Sequence, residues 1–127
     1  DEYMGLAAIA IDGFSGGVGT IDFSAGDPGP GDPVYLQGYA RNTRWMLLQG
    51  RIEKRSERMN GQPVYVTSIA YQDGFAGAPV VDGRGRLVGV AAPAERSGAV
   101  EVFPVSRVQE FATEVRRLLR PRGATAD

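Results

Sequence analysis

The sequence predicts a small all-β domain, a barrel or a sandwich, followed by one C-terminal helix. Eighteen glycines and eight prolines are spread along the 127 residues without forming a repeat, as is typical of many short strands joined by tight turns. Apolar residues make up 43% and charged residues 23% of the chain, which is an ordinary composition for one globular domain. Helical periodicity is confined to the end of the chain, over residues 106–120.

The first strand signals precede a cluster of turn-forming residues. Residues 6–11 are a short apolar run and are predicted to form a buried strand, and a brief extended piece is predicted at 21–23. Residues 25–33, AGDPGPGDP, are the strongest breaker segment of the chain and are predicted to be a linker. We therefore divide the chain into residues 1–24, this linker, and the β unit that follows it.

Six strands are predicted after the linker, at residues 34–39, 45–53, 63–71, 79–81, 87–91 and 101–105. Gly50 is predicted to mark a bulge in the second of them. The charged stretch 53–58 and the Asn60-Gly61 pair predict a solvated hairpin tip. The Asp82-Gly83-Arg84-Gly85 segment predicts a second tight hairpin.

The C-terminal segment has the spacing of an amphipathic helix. Its apolar face would consist of Val108, Phe111, Ala112, Val115, Leu118 and Leu119. Ser106 is predicted to cap the helix, with Gln109 three residues later, and Pro121 to end it, which leaves a tail at 121–127. We expect this helix to pack on the β unit, although docking onto a partner is an alternative.

Charge and composition exclude several classes of function. Fourteen basic and fifteen acidic residues argue against a general nucleic-acid or anionic-membrane binder, and the basic stretch around Trp45 is interpreted as a solvated hairpin. The chain contains neither cysteine nor histidine, so it holds no disulfide, no thiolate zinc site and no complete Ser-His-Asp triad. No cofactor, metal site or membrane span is expected.

One glycine-rich turn is the most informative segment. Gly74-Phe75-Ala76-Gly77-Ala78-Pro79, followed by the strand Leu87-Val88-Gly89-Val90, resembles the nucleophile region of trypsin-like serine proteases, whose pattern is Gly-x-Ser-Gly-Gly-Pro. The resemblance is to the HtrA-like branch of this family and covers residues 27–119. It rests on three segments that follow in the same order, GDPVYLQGYARN, LQGRIEKRS and VEVFPVSRVQEFATEVRRLL. The resemblance implies a trypsin-like six-stranded antiparallel β-barrel at 34–105, the second of a double-barrel fold, with a C-terminal α-helix at 106–120.

The resemblance also implies roles for particular residues. Ala76 stands at the nucleophile position, and the backbone N–H groups of Gly74 and Ala76 would form the oxyanion hole. Ala70 and Tyr71 would line the primary specificity pocket, with a preference for small or apolar side chains. The edge formed by Ala91, Ala92 and Pro93 would pair with an extended polypeptide substrate or partner.

The departures from the family pattern decide what this chain can do. The methyl group of Ala76 cannot attack a carbonyl, and Phe75 stands where the family has Asp or Asn. Residues 1–24 resemble the last strand of a first barrel, with Gly5 aligned to the triad aspartate and Asp1 or Glu2 as alternatives. An upstream first barrel would have to supply His and Asp, and an extracytoplasmic location would fit the family.

Three explanations of Ala76 remain open at this stage. The alanine replaces the serine of a real protease artificially, or it is natural, or the turn does not correspond to the family's nucleophile turn. The first predicts part of a serine endopeptidase that is inactive as written. The second predicts a pseudoprotease that binds peptides or proteins without cutting them.

Overall fold

A computed structural model describes residues 21–24, 26–40, 44–95 and 98–119. The described elements are the strands β1 (Pro33–Tyr39), β2 (Trp45–Glu57), β3 (Pro63–Ala70), β4 (Pro79–Val81), β5 (Leu87–Ala91) and β6 (Ala99–Pro104), and the helix α1 (Val105–Leu119). The strands form a closed barrel in the order β1-β2-β3-β6-β5-β4, and every pair of neighbours is antiparallel. The predicted six-stranded antiparallel barrel with a C-terminal helix is confirmed.

Alternation along the strands places the core inside the barrel. Val34 and Leu36 of β1 are fully buried, whereas the residues between and after them are more exposed, because successive side chains of a strand point to opposite faces. Strand β3 is buried on both faces. Tyr65 and Ile69 belong to the main core cluster, and Val64 belongs to a second cluster with Ala92 and Phe103.

Strand β2 is longer than predicted. It continues through the charged residues to Glu57, so the placement of residues 53–57 in a hairpin tip is wrong. The connection spans residues 58–62 and contains the predicted Asn60-Gly61 pair. Lys54, Arg55 and Ser56 pair with β3 in register. Pairing provides hydrogen-bond partners for their backbone groups, and exposure leaves the charged side chains in solvent. The register irregularity lies between Ile52 and Lys54 rather than at Gly50, where a bulge was predicted.

Gly50 is required for a different reason, a close approach to β3. It is buried and pairs regularly with Val34. A Cβ atom at this position would lie 2.5 Å from Cγ1 of Ile69 and 2.8 Å from Oγ of Ser68. The reason for glycine at this position is the neighbouring strand β3, which local sequence does not reveal.

The helix begins one residue before its predicted cap. Ser106 lies inside α1, which starts at Val105 directly after β6, so the predicted capping box is wrong. Val105 is buried, and the helix packs on β5 and β6. The predicted apolar face is half-buried as far as Val115, whereas Leu118 and Leu119 are 73% and 59% exposed. No helix within the described ranges is long and apolar enough to cross a membrane.

The segment before the barrel is described only near its end. Phe23 forms an isolated parallel bridge with Leu87, Ser24 N–H donates to the Leu87 carbonyl, and Leu87 N–H donates to the Asp22 carbonyl. The extended piece predicted at 21–23 is consistent with these bonds. The strand predicted at 6–11, Gly5 and the tail at 121–127 lie outside the described residues, so the division of the chain into residues 1–24, linker and barrel stays a prediction.

Gly89 lies where β6 approaches β5 closely, and its substitution is expected to destabilise the barrel. A Cβ atom there would lie 2.0 Å from the Phe103 carbonyl oxygen and 2.5 Å from Cγ1 of Val102. Backbone cannot yield as a flexible side chain does, so we expect Gly89→Ala to lower the free energy of unfolding by about 2–3 kcal/mol. Urea denaturation measures this change. Gly26→Ala, at a glycine with no atom within 4 Å of the added Cβ, should change stability little, and equal effects of the two substitutions would contradict the explanation.

Candidate active site

Two successive tight turns form the segment between β3 and β4. Phe75 N–H donates to the Gln72 carbonyl at 3.1 Å, and Ala78 N–H donates to the Phe75 carbonyl at 3.0 Å. The third residue of each turn is a glycine with positive φ, 101° at Gly74 and 89° at Gly77. A positive φ at the third residue, after a residue other than glycine, is typical of a type II turn, which favours glycine at both positions.

The turn type decides which way a backbone N–H group points. Type I and type II turns differ by a rotation of about 180° of the peptide between their two central residues. In the first turn that peptide carries the N–H group of Gly74. Among the described residues, neither Gly74 N–H nor Ala76 N–H donates a hydrogen bond, and both residues are exposed. Two unpaired donors two residues apart can bind the oxygen of a developing anion.

Phe75 anchors the double turn in the barrel core. Its side chain is fully buried, and its ring contacts the Tyr71 ring edge-on, with centroids 6.3 Å apart and planes at 74°. On β1, a Cβ added to Gly38 would lie 3.2 Å from Cβ of Ala78 and 3.8 Å from Cδ1 of Phe75. An aromatic ring therefore fills the place under the turn, where the family pattern has a polar residue.

The end of β5 forms main-chain hydrogen bonds with the second turn. Gly77 N–H donates to the Ala91 carbonyl at 2.8 Å, and Ala91 N–H donates to the Ala78 carbonyl at 2.9 Å. Both main-chain polar groups of Ala91 are thus engaged within the barrel, and its side chain is buried. The main-chain polar groups of Ala91, which belongs to the predicted peptide-binding edge, are therefore already bonded to the second turn.

The chain beyond Ala91 leaves other main-chain groups open. Ala92 N–H donates to the Glu101 carbonyl at 2.8 Å. Within the described ranges, the Ala92 carbonyl and both main-chain polar groups of Ala94 have no hydrogen-bond partner. Pro93 and Ala94 are exposed, whereas Ala92 is buried.

The predicted pocket residues lie at the end of β3. Ala70 is exposed and pairs with Ala99 of β6, and Tyr71 is half-buried, with its N–H donating to the Gly98 carbonyl at 2.9 Å. These contacts join the end of β3 to the start of β6, and the bonds of Ala91 join the double turn to the end of β5. Local sequence could not predict the anchoring role of Phe75, which depends on β1.

The hairpin that follows the double turn is closed by one carboxylate. Oδ1 of Asp82 accepts hydrogen bonds from Arg84 N–H at 2.8 Å and Arg86 N–H at 3.0 Å, and Oδ2 accepts from Nε of Arg86 at 3.0 Å. Partial burial opposes ionisation, but these hydrogen bonds and the guanidinium charge outweigh it and lower the pKa of Asp82. No group of three acidic side chains in the described part of the chain is arranged to hold a metal ion.

Asp82 is expected to contribute to the acid sensitivity of the fold. Because its pKa is lower in the folded than in the unfolded chain, its contribution is complete above the unfolded value of about 3.9 and is lost as the pH falls through the folded value. We expect Asp82→Asn to cost about 1 kcal/mol at pH 7 and to lose less stability than the unsubstituted protein below pH 4. Urea unfolding at both pH values measures this. Asp27→Asn, in an exposed ion pair with Arg55, should cost less, and parallel pH curves for Asp82→Asn and the parent would contradict the assignment.

Comparisons with solved structures support the fold. The chain superimposes on Rv3671c of Mycobacterium tuberculosis H37Rv, in an inactive form with a serine-to-alanine substitution, with a TM-score of 0.68 and 21% identity over 81% of this chain and 56% of that chain. The active form of Rv3671c protease gives a TM-score of 0.64 and 20% identity over 84% of this chain and 49% of that chain. A serine endoprotease from Yersinia pestis gives a TM-score of 0.64 and 20% identity over 76% of this chain and 35% of that chain.

These matches show a shared fold over only part of each neighbour. The chain spans between about a third and about half of those proteins. A comparison with curated proteins returns no significant match. The family model described as Trypsin-like peptidase domain matches residues 1–90, which is well over half of the sequence and includes the double turn. The chain therefore belongs to the family of trypsin-like peptidase domains.

Proposed function

We propose that this chain is the nucleophile-bearing half of an HtrA-related serine endopeptidase domain, with position 76 as the nucleophile position and catalysis silenced by Ala76. The observation that carries the proposal is the pair of tight turns, in which Gly74 N–H and Ala76 N–H are exposed and have no partner within the described part of the chain. An oxyanion hole needs donors arranged before the reaction begins. The reaction of the serine form would be peptide-bond hydrolysis through an acyl-enzyme.

The substrate or partner is proposed to be an extended polypeptide. An open strand edge binds a peptide through main-chain hydrogen bonds, and the Ala92 carbonyl and the polar groups of Ala94 are open in this way. Because the main-chain polar groups of Ala91 are already bonded, the peptide is proposed to pair with Ala92, Pro93 and Ala94. Ala70 and Tyr71, neither of which is acidic, would line the specificity pocket, which favours small or apolar side chains over Arg or Lys.

A natural pseudoprotease is the second candidate, and Ala76 itself favours it. The double turn and the edge are intact although the nucleophile is absent, so peptide binding can persist without cleavage. An alanine codon in the native gene and no upstream histidine would support this candidate, whereas a serine codon and an upstream histidine would support the protease.

An upstream barrel is proposed to supply the general base, since the chain has no histidine. Beside the double turn, the end of the β1–β2 hairpin presents an exposed apolar strip, with Tyr39, Trp45 and Leu47 at 58%, 54% and 53% exposure. Tyr39 lies directly opposite Trp45, and Leu47 opposite Gln37, so the three side chains share the outer face. A barrel that brought a histidine to position 76 would cover surface close to this strip.

Trp45 is the only tryptophan and should report such packing. In the 127-residue chain we expect fluorescence emission typical of a solvated indole, readily quenched by iodide. In a longer chain with the upstream barrel, emission should shift to shorter wavelength and quenching should fall several-fold, because packing removes water from the ring. Tryptophans in the added segment are replaced by Phe as the control. Unchanged emission and quenching would contradict packing at this strip.

The test of the proposed function is active-site labelling of the serine form. The Ala76→Ser protein with the upstream sequence should react covalently with an alkyl fluorophosphonate at residue 76. A folded protein that does not react has lost the base or the oxyanion hole, and the pseudoprotease would then be the better explanation.

A further inference from the structure

We propose that Arg58 is a positioning residue that holds residues 93–95 as an open edge for a peptide. Arg58 lies in the connection between β2 and β3, 35 residues before Pro93. Its side chain is only 10% exposed, although the sequence predicts a solvated hairpin tip for residues 53–58. The inference rests on the proposed function for the peptide, whereas the contacts of Arg58 stand independently of it.

The guanidinium group of Arg58 joins three acceptors from two segments. Nη1 donates to the Pro93 carbonyl at 3.1 Å and to Oε1 of Glu101 at 3.1 Å. Nη2 lies 3.3 Å from Oε2 of Glu95. The group also lies over the ring of Phe103, 5.7 Å from its centroid. The guanidinium group is planar and has several N–H donors, so it can bind such a set of acceptors in one geometry.

The hairpin tip adds a second bond to the same segment. Met59 N–H donates to Oε1 of Glu95 at 3.1 Å, so the two oxygens of this carboxylate contact adjacent residues of the β2–β3 connection. Glu101 belongs to β6, a rigid part of the barrel, and its side chain is 11% exposed. Arg58 therefore fastens the exposed segment 93–95 to the barrel wall.

The bond to Pro93 fixes the middle of the exposed segment. Proline has no N–H, so its carbonyl is its only main-chain polar group, and Arg58 binds this carbonyl. The Ala92 carbonyl and the main-chain polar groups of Ala94, on either side of Pro93, have no hydrogen-bond partner among the described residues. By holding Pro93 and Glu95, Arg58 would keep these open groups in one position for a peptide. Without Arg58, nothing in the described structure fastens the Pro93 carbonyl.

Amide hydrogen exchange of the 127-residue chain tests the fastening without any need for activity. We expect Arg58→Met to speed exchange of the Ala92 amide, which donates to the Glu101 carbonyl directly before the fastened segment, at least ten-fold while the amides of β1 keep their protection. Arg58→Lys, which keeps a cation but loses the planar guanidinium group, should lie between Met and Arg. The control Arg117→Met removes an exposed arginine of α1 and should change neither region. Unchanged exchange at Ala92, or an equal increase throughout the barrel, would overturn the proposal.

A second variant covers the case in which Arg58→Met does not fold. Glu95→Ala removes one of the two contacts of the segment with Arg58 and keeps those of Arg58 with the Pro93 carbonyl and Glu101. It should speed exchange of the Ala92 amide at least three-fold with unchanged midpoint in urea. Unchanged exchange in this variant would also overturn the proposal.

The link to peptide binding is tested on the Ala76→Ser protein with its upstream sequence. Two reagents are compared, an alkyl fluorophosphonate that needs only the nucleophile and oxyanion hole, and an Ala-Ala-Pro-Ala diphenylphosphonate that also needs the edge. Arg58→Met should slow the peptidyl reagent at least ten-fold and the alkyl reagent less than two-fold, with partial rescue in Arg58→Lys. Equal slowing, or no slowing, would overturn the positioning role. If neither reagent modifies the parent, the proposed function fails, and the exchange data alone decide whether Arg58 holds the segment.

Discussion

Replacement of Ala76 by serine is expected to create a covalently reactive residue, but only when the proposed upstream barrel is present. The serine hydroxyl is a weak nucleophile at neutral pH and needs a general base, and the chain contains no histidine. In the longer protein, fluorophosphonate should label the serine form at residue 76, whereas the alanine form, which has no nucleophilic atom there, should stay at background. Mass spectrometry of the labelled peptide identifies the modified residue.

The matched control is the same substitution in the 127-residue chain alone. Its oxyanion donors would be unchanged, but its serine would lack a base, so labelling should remain near background. Labelling of the short chain at the rate of the long one would contradict the proposed need for an upstream base. Absence of labelling in a folded long protein would contradict the proposed protease itself.

Gly74→Ala in the Ala76→Ser protein is expected to remove one oxyanion donor without touching the nucleophile. Alanine is strained at the φ of 101° that Gly74 adopts, and the turn should relax toward type I, where φ at this position is about −90°. The rotation of the Asp73–Gly74 peptide would turn the N–H group away from the oxyanion. Loss of one such donor costs about 10²–10³-fold in rate, which labelling kinetics under a large excess of reagent measure.

Gly31→Ala is the matched control for strain. Gly31 also has a positive φ, 89°, and no atom within 4 Å of an added Cβ, but it lies before β1, outside the double turn. It should cost a similar amount of stability and leave the labelling rate unchanged. A similar loss of rate in both variants would show that strain and stability, rather than the direction of one N–H group, explain the effect.

The barrel and the helix could be predicted because their signals are local. Alternation in β1 and the helical spacing after β6 reflect the periods of strand and helix, and glycine and proline mark the turns between them. Errors arose where a distant strand decides the structure. The charges after Ile52 continue β2 because β3 pairs with them, and Gly50 is small because Ile69 approaches it.

In the candidate site, too, some features follow from the residue types alone and others only from the fold. The residue types alone exclude acylation at Ala76 and a complete triad in this chain, because a methyl group has no nucleophilic atom and no histidine is present. Only the folded barrel decides that Phe75 is a core anchor, that the polar groups of Ala91 are engaged, and that Arg58 reaches the Pro93 carbonyl. Each of these contacts joins residues far apart in the chain, and closure of six strands determines which of them meet.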